Sequence, residues 1–295
     1  MWGIRSRRKS GNLPAMIFGK EREAVRNATR AIRDLMLRPG REIGLGGSFG
    51  GGLGAMAMLA AGNLRQLPDM AVRLPSTLRD LGERMTAIPG ARRRAPALAF
   101  AAQALAGSVR HGATMRERYL NLLAAAMDET TAAKVHPAFL GILRQLTADE
   151  VRLVGLFQHD GPYPLLTVGA RYKFGGTLST ELRYFSRLGE QAGCENLARV
   201  PLYIDNLCRL GLTELRPVRI ADDTRMFRAL EESPEVQAAI ARAEARQAPP
   251  LSPAGPEDDA GNVVVADLQR KALYVTDFGR QFYEACEYRP EPGAR

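Results

Sequence analysis

From Pro96 to Gly161 the chain repeats one pattern four times: apolar side chains three and four residues apart, separated by short polar breaks. That spacing matches the turn of an α-helix, and several such stripes in close succession must be buried against one another. PALAFAAQALAGSV and TMRERYLNLLAAAMDET give the first two helices, the second with Met115, Tyr119, Leu122, Leu123 and Met127 along one stripe. HPAFLGILRQL gives the third, with Pro137 in a first turn, where a missing amide costs nothing. Thr147 and Glu150 form a capping box that opens the fourth, TADEVRLVGLFQHDG. The stripes predict a helical bundle over 96–160. Its core should bury Tyr119, Leu122, Leu123, Phe139, Leu143, Val151 and Leu156 together, in one unit that runs on to Tyr288.

Upstream, residues 1–41 read as a basic arm in which Ala24–Leu37 forms an amphipathic helix with a cationic face. Residues 42–95 hold a glycine-rich segment, then a helix with Leu78, Leu81 and Met85 inward and Ser76 as its N-cap. IPGARRRAPAL reads as a loop. The run from Ile43 to Leu64 carries no charge, in a chain that is 25% charged with a net charge of +9. Such a balance favours acidic partners: nucleic acid or an anionic membrane surface. A phosphate-binding loop is set aside, because GLGGSFGGG lacks GK[ST] and no strand precedes it. Two readings stay open. Gly46, Gly50 and Gly54 form GxxxGxxxG, a groove through which helices self-associate in a bilayer; alternatively the run is a linker and small-residue helix packed in the fold.

Residues 161–295 read as α+β. YPLLTVGARY is a strand, and VPLYIDNLCRLGLTEL is a helix that stops at Gly211 and enters a strand over Leu212–Ile220. KALYVTDFGRQFYEACEY gives a strand and a closing helix. This order is that of a winged-helix-like module with a long insertion. Within the insertion, Pro234–Ala248 is helical and the acidic, Pro-rich Pro249–Gly261 is a loop. The predicted class is therefore mainly α: a helical bundle followed by an α+β winged-helix-like C-terminal module. A recognition helix would be LYIDNLCRLGL or TLSTELRYFSRLGEQAG, the latter presenting Arg183 and Arg187 to nucleic acid.

Candidate chemistry is sparse. Asp128 and His136 could make an acid/base pair, but both sit at helix ends, where capping is the simpler role. Cys194, Cys208 and Cys286 have no CxxC spacing, and three histidines are too scattered for a metal site. No cofactor, metal or catalytic residue is expected. The thiols are expected to be buried in a reducing cytoplasm, and no secretory signal is visible.

YLNLLAAAMDETTAAKVHPAFLGILRQLTADEVRLVGLF resembles the core signature of the Abi-alpha family, the alpha-type abortive-infection proteins of bacteria. YIDNLCRLGLTE and YVTDFGRQFYEAC resemble its C-terminal segments, and the likeness covers roughly Leu74–Tyr288. Tyr119, Asp128, His136, Pro137, Gly211 and Gly279 fall in these signature segments, in structural roles. The resemblance implies bacteriophage defence without transferring any catalytic residue. Together these readings give a non-enzymatic defence protein acting through the glycine-rich segment at the inner membrane. The alternative is a DNA-binding or protein-interaction winged-helix regulator. Partners consistent with the sequence are a second copy of the chain, an anionic membrane surface, a phage or host protein trigger and, less favoured, nucleic acid.

Overall fold

The computed structural model describes residues 68–173, 176–218, 225–246 and 263–290. Gly46, Gly50 and Gly54, the basic arm and the Pro249–Gly261 loop lie outside the described residues. The chain packs as two compact units. The first contains the described residues up to Ala133 and the C-terminal residues from Tyr288; the second runs from Lys134 to Glu287.

The first unit is helical. It comprises α1 (Pro68–Ala87), a 3-10 turn (Gly90–Arg92), α2 (Leu98–Arg110), α3 (Ala113–Met127) and a single turn α4 (Glu129–Ala132). Leu78, Leu81 and Met85 of α1 are buried with Ala101, Ala104 and Leu105 of α2 and Tyr119, Leu122 and Leu123 of α3. Gly107 lets α2 approach α3, since a Cβ there would meet the Tyr119 ring at 2.4 Å. Tyr119 also stacks on His111, with ring centroids 5.6 Å apart. Ser76 is not the N-cap of α1: the helix begins at Pro68, and the Ser76 hydroxyl donates to the Arg73 carbonyl within it.

The second unit opens with α5 (Phe139–Leu143), α6 (Ala148–Val154) and a 3-10 turn (Gly155–Gln158). Both halves of the Thr147/Glu150 capping box are present. Thr147→Ala should therefore cost about 1 kcal/mol in urea denaturation, because the Glu150 amide in the first turn loses its acceptor, Thr147 Oγ1. The chain continues through β1 (Tyr163–Tyr172), β2 (Thr177–Phe185), α7 (Leu188–Ala192), a 3-10 turn (Leu197–Arg199) and α8 (Val200–Arg209). β3 (Thr213–Pro217), α9 (Arg225–Glu231), α10 (Pro234–Glu244), β4 (Val264–Val275) and α11 (Asp277–Cys286) complete it.

The four strands form one antiparallel sheet in the order β2-β1-β4-β3. Leu166, Val168 and Ala170 alternate onto one face, where they are buried with Phe227, Leu230, Val236, Ala239 and Ala243 of α9 and α10. Leu165 and Leu273 are buried on the opposite face. The predicted pairing of the segments around Leu212–Ile220 and Lys271–Thr276 is found: Thr213 faces Val275, Leu215 faces Leu273 and Pro217 faces Lys271.

Three expectations are corrected. The predicted seven-residue core does not sit in one unit. Tyr119, Leu122 and Leu123 belong to the first, and Phe139, Leu143, Val151 and the half-buried Leu156 to the second. The reason is that α3 spends its stripe on α1 and α2, whereas Phe139 packs on Phe278 and Phe282 of α11, with centroids 5.3 Å away in each case. TLSTELRYFSRLGEQAG is not a recognition helix: its first half is β2, an edge strand on a half-buried surface, and only Leu188–Ala192 is helical. Of the three thiols only Cys286 is buried; Cys194 and Cys208 are half-buried.

Candidate functional site

The end of β2 carries the most unusual backbone of the described residues. Tyr184 lies at φ 48, in the left-handed region that a bulky residue seldom adopts, and its amide donates to Thr167 Oγ1 at 3.3 Å. The β1–β2 ladder is irregular just there, with a register shift between Leu166 and Val168. Such a shift re-aims side chains near a strand end. Beyond Phe185, Ser186 Oγ accepts from the Leu188 amide at 3.4 Å and turns the chain into α7.

Between this strand end and the start of α8 lies a cleft of about 320 Å³. One wall is Leu182, Arg183, Tyr184, Phe185 and Ser186; the other is Leu197, Ala198, Val200 and Pro201, with Glu190 and Glu235 at its polar end. Leu197 is 47% exposed and Leu202, close by in sequence, 60%, which leaves an apolar rim open to solvent.

The far wall is held by a buried carboxylate. Asp149, 6% exposed, accepts from the backbone amides of Glu195 and Asn196 at 2.9 and 3.0 Å, from Tyr203 Oη at 3.3 Å, and from Arg152. Burial by itself would raise this carboxyl; the two amides, Arg152 and Tyr203 outweigh it and hold it below the usual range. Arg152 reaches on to Glu195 at 2.6 Å. Asp149 thus fixes the loop that presents Leu197 and Ala198, a role that its place in the first turn of α6 does not reveal. The partner amides lie 46 and 47 residues downstream, so no local spacing signals them. Cys194 Sγ sits against the Asp149 carbonyl at 3.6 Å, and burial, with the Asp149 charge, pushes this thiol up to about 11.

Arg183 and Arg187 are both engaged. Arg183 makes a two-pronged contact with Asp205, at 2.7 and 2.9 Å, and lies over the Tyr184 ring 4.5 Å from its centroid. Arg187 bonds Glu190 at 3.1 Å and Glu235 at 3.2 Å, over the Phe185 ring. Farther along β2, Glu181 takes Arg246 at 2.7 Å and Arg242 at 4.0 Å. The two arginines singled out for nucleic acid therefore flank one cleft, but each is neutralised by carboxylates of its own unit.

The remaining signature residues hold structure in place. In the first unit Asp128 is fully buried and caps α4 by accepting from the Thr130 amide at 2.9 Å. It also accepts from Thr130 Oγ1 at 2.7 Å, Arg92 Nε at 3.1 Å and Tyr288 Oη at 2.5 Å. Burial alone would raise its carboxyl, but Arg92, Tyr288 and Thr130 together hold it far below the usual range. In the second unit His136 Nδ1 accepts from the Ala138 amide at 3.1 Å, and its ring meets Phe278 edge-on. Pro137 is exposed in the turn before α5. Asp128 and His136 belong to different units, each with its own hydrogen-bond partners. Gly211, at φ 73, closes α8 with the two bonds of a Schellman motif, Gly211 N to Cys208 O and Leu212 N to Leu207 O, both 3.0 Å. Gly279 lies against the Leu212 carbonyl. Among the described residues no group of His, Cys, Asp and Glu has a metal-holding arrangement, and no helix is long and apolar enough to cross a membrane.

No curated protein matches the chain. A solved structure of an uncharacterized protein from the hydrocarbon-degrading marine bacterium Alcanivorax borkumensis SK2 is similar at 20% identity. The match covers 53% of this chain and 94% of that one, with a TM-score of 0.31. The model of the family described as abortive infection alpha matches residues 70–286, which reaches into both packed units and takes in all of the signature segments. The chain belongs to the abortive infection alpha family.

Proposed function

We propose that this protein is a non-enzymatic component of bacterial phage defence by abortive infection, with a membrane-active N-terminal segment and a C-terminal protein-interaction module. Family membership supports the defence role. The observation that carries the interaction role is the state of Arg183 and Arg187: each is paired with carboxylates of its own unit, so a phosphate backbone would have to displace Asp205, Glu190 or Glu235 first. The order α8–β3–β4–α11, with α9 and α10 inserted between β3 and β4 and β1 lying beside β4, supports a winged-helix-like reading of this module, and such modules serve protein partners as readily as DNA. Titration with duplex DNA should give no salt-sensitive affinity above that of a generic basic protein; a strongly salt-dependent, duplex-specific affinity lost in Arg183→Ala/Arg187→Ala would replace the module's role with DNA binding.

The membrane role rests on the sequence of the uncharged run. Cations of the basic arm adsorb to anionic lipid, each contributing about 1 kcal/mol near the surface. Gly46, Gly50 and Gly54 then let helices approach closely enough to associate. Replacing all three with leucine should preserve partitioning into anionic vesicles while reducing dye leakage and protection in a plaque assay. Wild-type protein that stays in the supernatant, with full protection retained by the triple variant, would leave the segment a linker.

A further inference from the structure

We propose that the open edge of β2 docks an extended polypeptide segment of low net charge, which joins the sheet as a fifth strand and sets one apolar side chain into the cleft between Phe185 and Leu197. This inference rests on the protein-interaction reading and names its partner class.

The two edges of the sheet are treated differently. β3 is short and ends in Pro217, which has no amide to offer a further strand. β2 is nine residues long and contains no proline. Among the described residues, no backbone group of Thr177–Phe185 bonds to any segment other than β1. Unpaired N–H and C=O groups in a row are a template for an added strand. The cleft opens at the same edge and is large enough to receive a side chain. Its wall is apolar at Leu197, and the Leu202 side chain is exposed close by in sequence. Backbone strain is concentrated at one residue of this edge, Tyr184, and such strain gathers where a ligand is clamped.

Charge selects the occupant. The two charged side chains of β2 itself, Glu181 and Arg183, are each paired within the unit, so the strand edge offers no uncompensated charge of its own to a polyanion or a polycation. A strand of β-branched and small polar residues around one leucine-sized or aromatic side chain gains the ladder hydrogen bonds without breaking an ion pair.

The test uses the full-length protein and a displayed library of random ten-residue peptides. Selected peptides should have low net charge and one obligatory apolar position, and should slow amide hydrogen exchange within Thr177–Phe185. Leu197→Asp, at an exposed position that does not threaten folding, should weaken their binding tenfold or more. N-methylation of alternate peptide amides should do the same without altering the protein. The proposal is overturned if no selected peptide slows exchange in β2, if binders are strongly charged, or if N-methylation and Leu197→Asp leave affinity unchanged. Concentration-dependent protection of β2 in the protein alone would make a second copy the occupant and equally overturn it. A failed selection alongside weak, non-specific DNA binding and intact plaque protection removes this inference and leaves the functional reading standing.

Discussion

Asp128→Asn is expected to destabilise the first unit by about 3 kcal/mol or more, the cost of taking the negative charge and one of two acceptor oxygens from a partly buried cation and two hydroxyls. The carboxylate has no solvent exposure and takes donors from three separated places in the chain: Arg92 before α2, Thr130 in α4 and Tyr288 at the C-terminus. An asparagine keeps the shape but presents an N–H₂ group to one of those donors. Tyr288→Phe removes a single hydrogen bond to a charged group and should cost about 1.5–3 kcal/mol, less where water reaches the site. Hydrogen exchange in α3 and urea denaturation of the full chain would measure both. Equal effects of the two substitutions would mean that Asp128 acts chiefly as an anchor for the C-terminus.

The same carboxylate sets an acid limit. Its folded pKa lies below the unfolded value of about 3.9. The stabilisation is therefore complete above that value and drains away as pH falls below it towards the folded pKa. Asp149 is shifted in the same direction, so both units weaken over one acidic interval. Between pH 7 and pH 3 the thermal midpoint of the wild type should fall more steeply than that of Asp128→Asn, which has no carboxylate to protonate. Parallel profiles would show that other carboxylates govern acid unfolding.

Legibility in the sequence followed the range of the interaction. Features set within one turn were readable: the capping box at Thr147, the helix stop at Gly211, and the alternation that makes YPLLTVGARY a strand. TLSTELRYFSRLGEQAG misled because its leucines and arginines also fit a helical period. Only pairing with β1, a tertiary fact, makes the first half a strand. The division between Ala133 and Lys134 was equally hidden, since equivalent apolar stripes lie on both sides and nothing local tells which stripe each one meets. In the candidate site Arg183 and Arg187 were visible as positions but not as paired charges, because Asp205 and Glu235 lie 22 and 48 residues away. Asp149 was visible as an acidic residue in a first helical turn, whereas its grip on the loop at Glu195 depends on the fold.

Gly279→Ala tests how far that second unit depends on one backbone contact. Gly279 stands in the first turn of α11, where its amide donates to the N-cap hydroxyl of Thr276 at 2.9 Å. Thr276 Oγ1 in turn donates to the Gly211 carbonyl at 2.6 Å, and its amide to the Leu212 carbonyl at 3.1 Å. The start of α11 is thereby tied to the turn that ends α8. A Cβ on Gly279 would lie 1.9 Å from the Leu212 oxygen and 2.8 Å from its carbon, a distance that rotating a side chain cannot relieve. Helix propensity alone would favour alanine by about 1 kcal/mol. The clash must overcome that gain, and since overpacking costs about 1–3 kcal/mol, occasionally more, a backbone-limited case belongs at the upper end. The net effect should be a loss of about 2 kcal/mol or more, with faster hydrogen exchange in α11 and at the β3–β4 pairing. Gly211→Ala is the control: nothing stands within 4 Å of its Cβ, so only the left-handed backbone is penalised, at about 1–2 kcal/mol. If Gly279→Ala proved neutral or stabilising, α11 would be free to shift off the turn, and the family signature at this glycine would need an explanation other than packing.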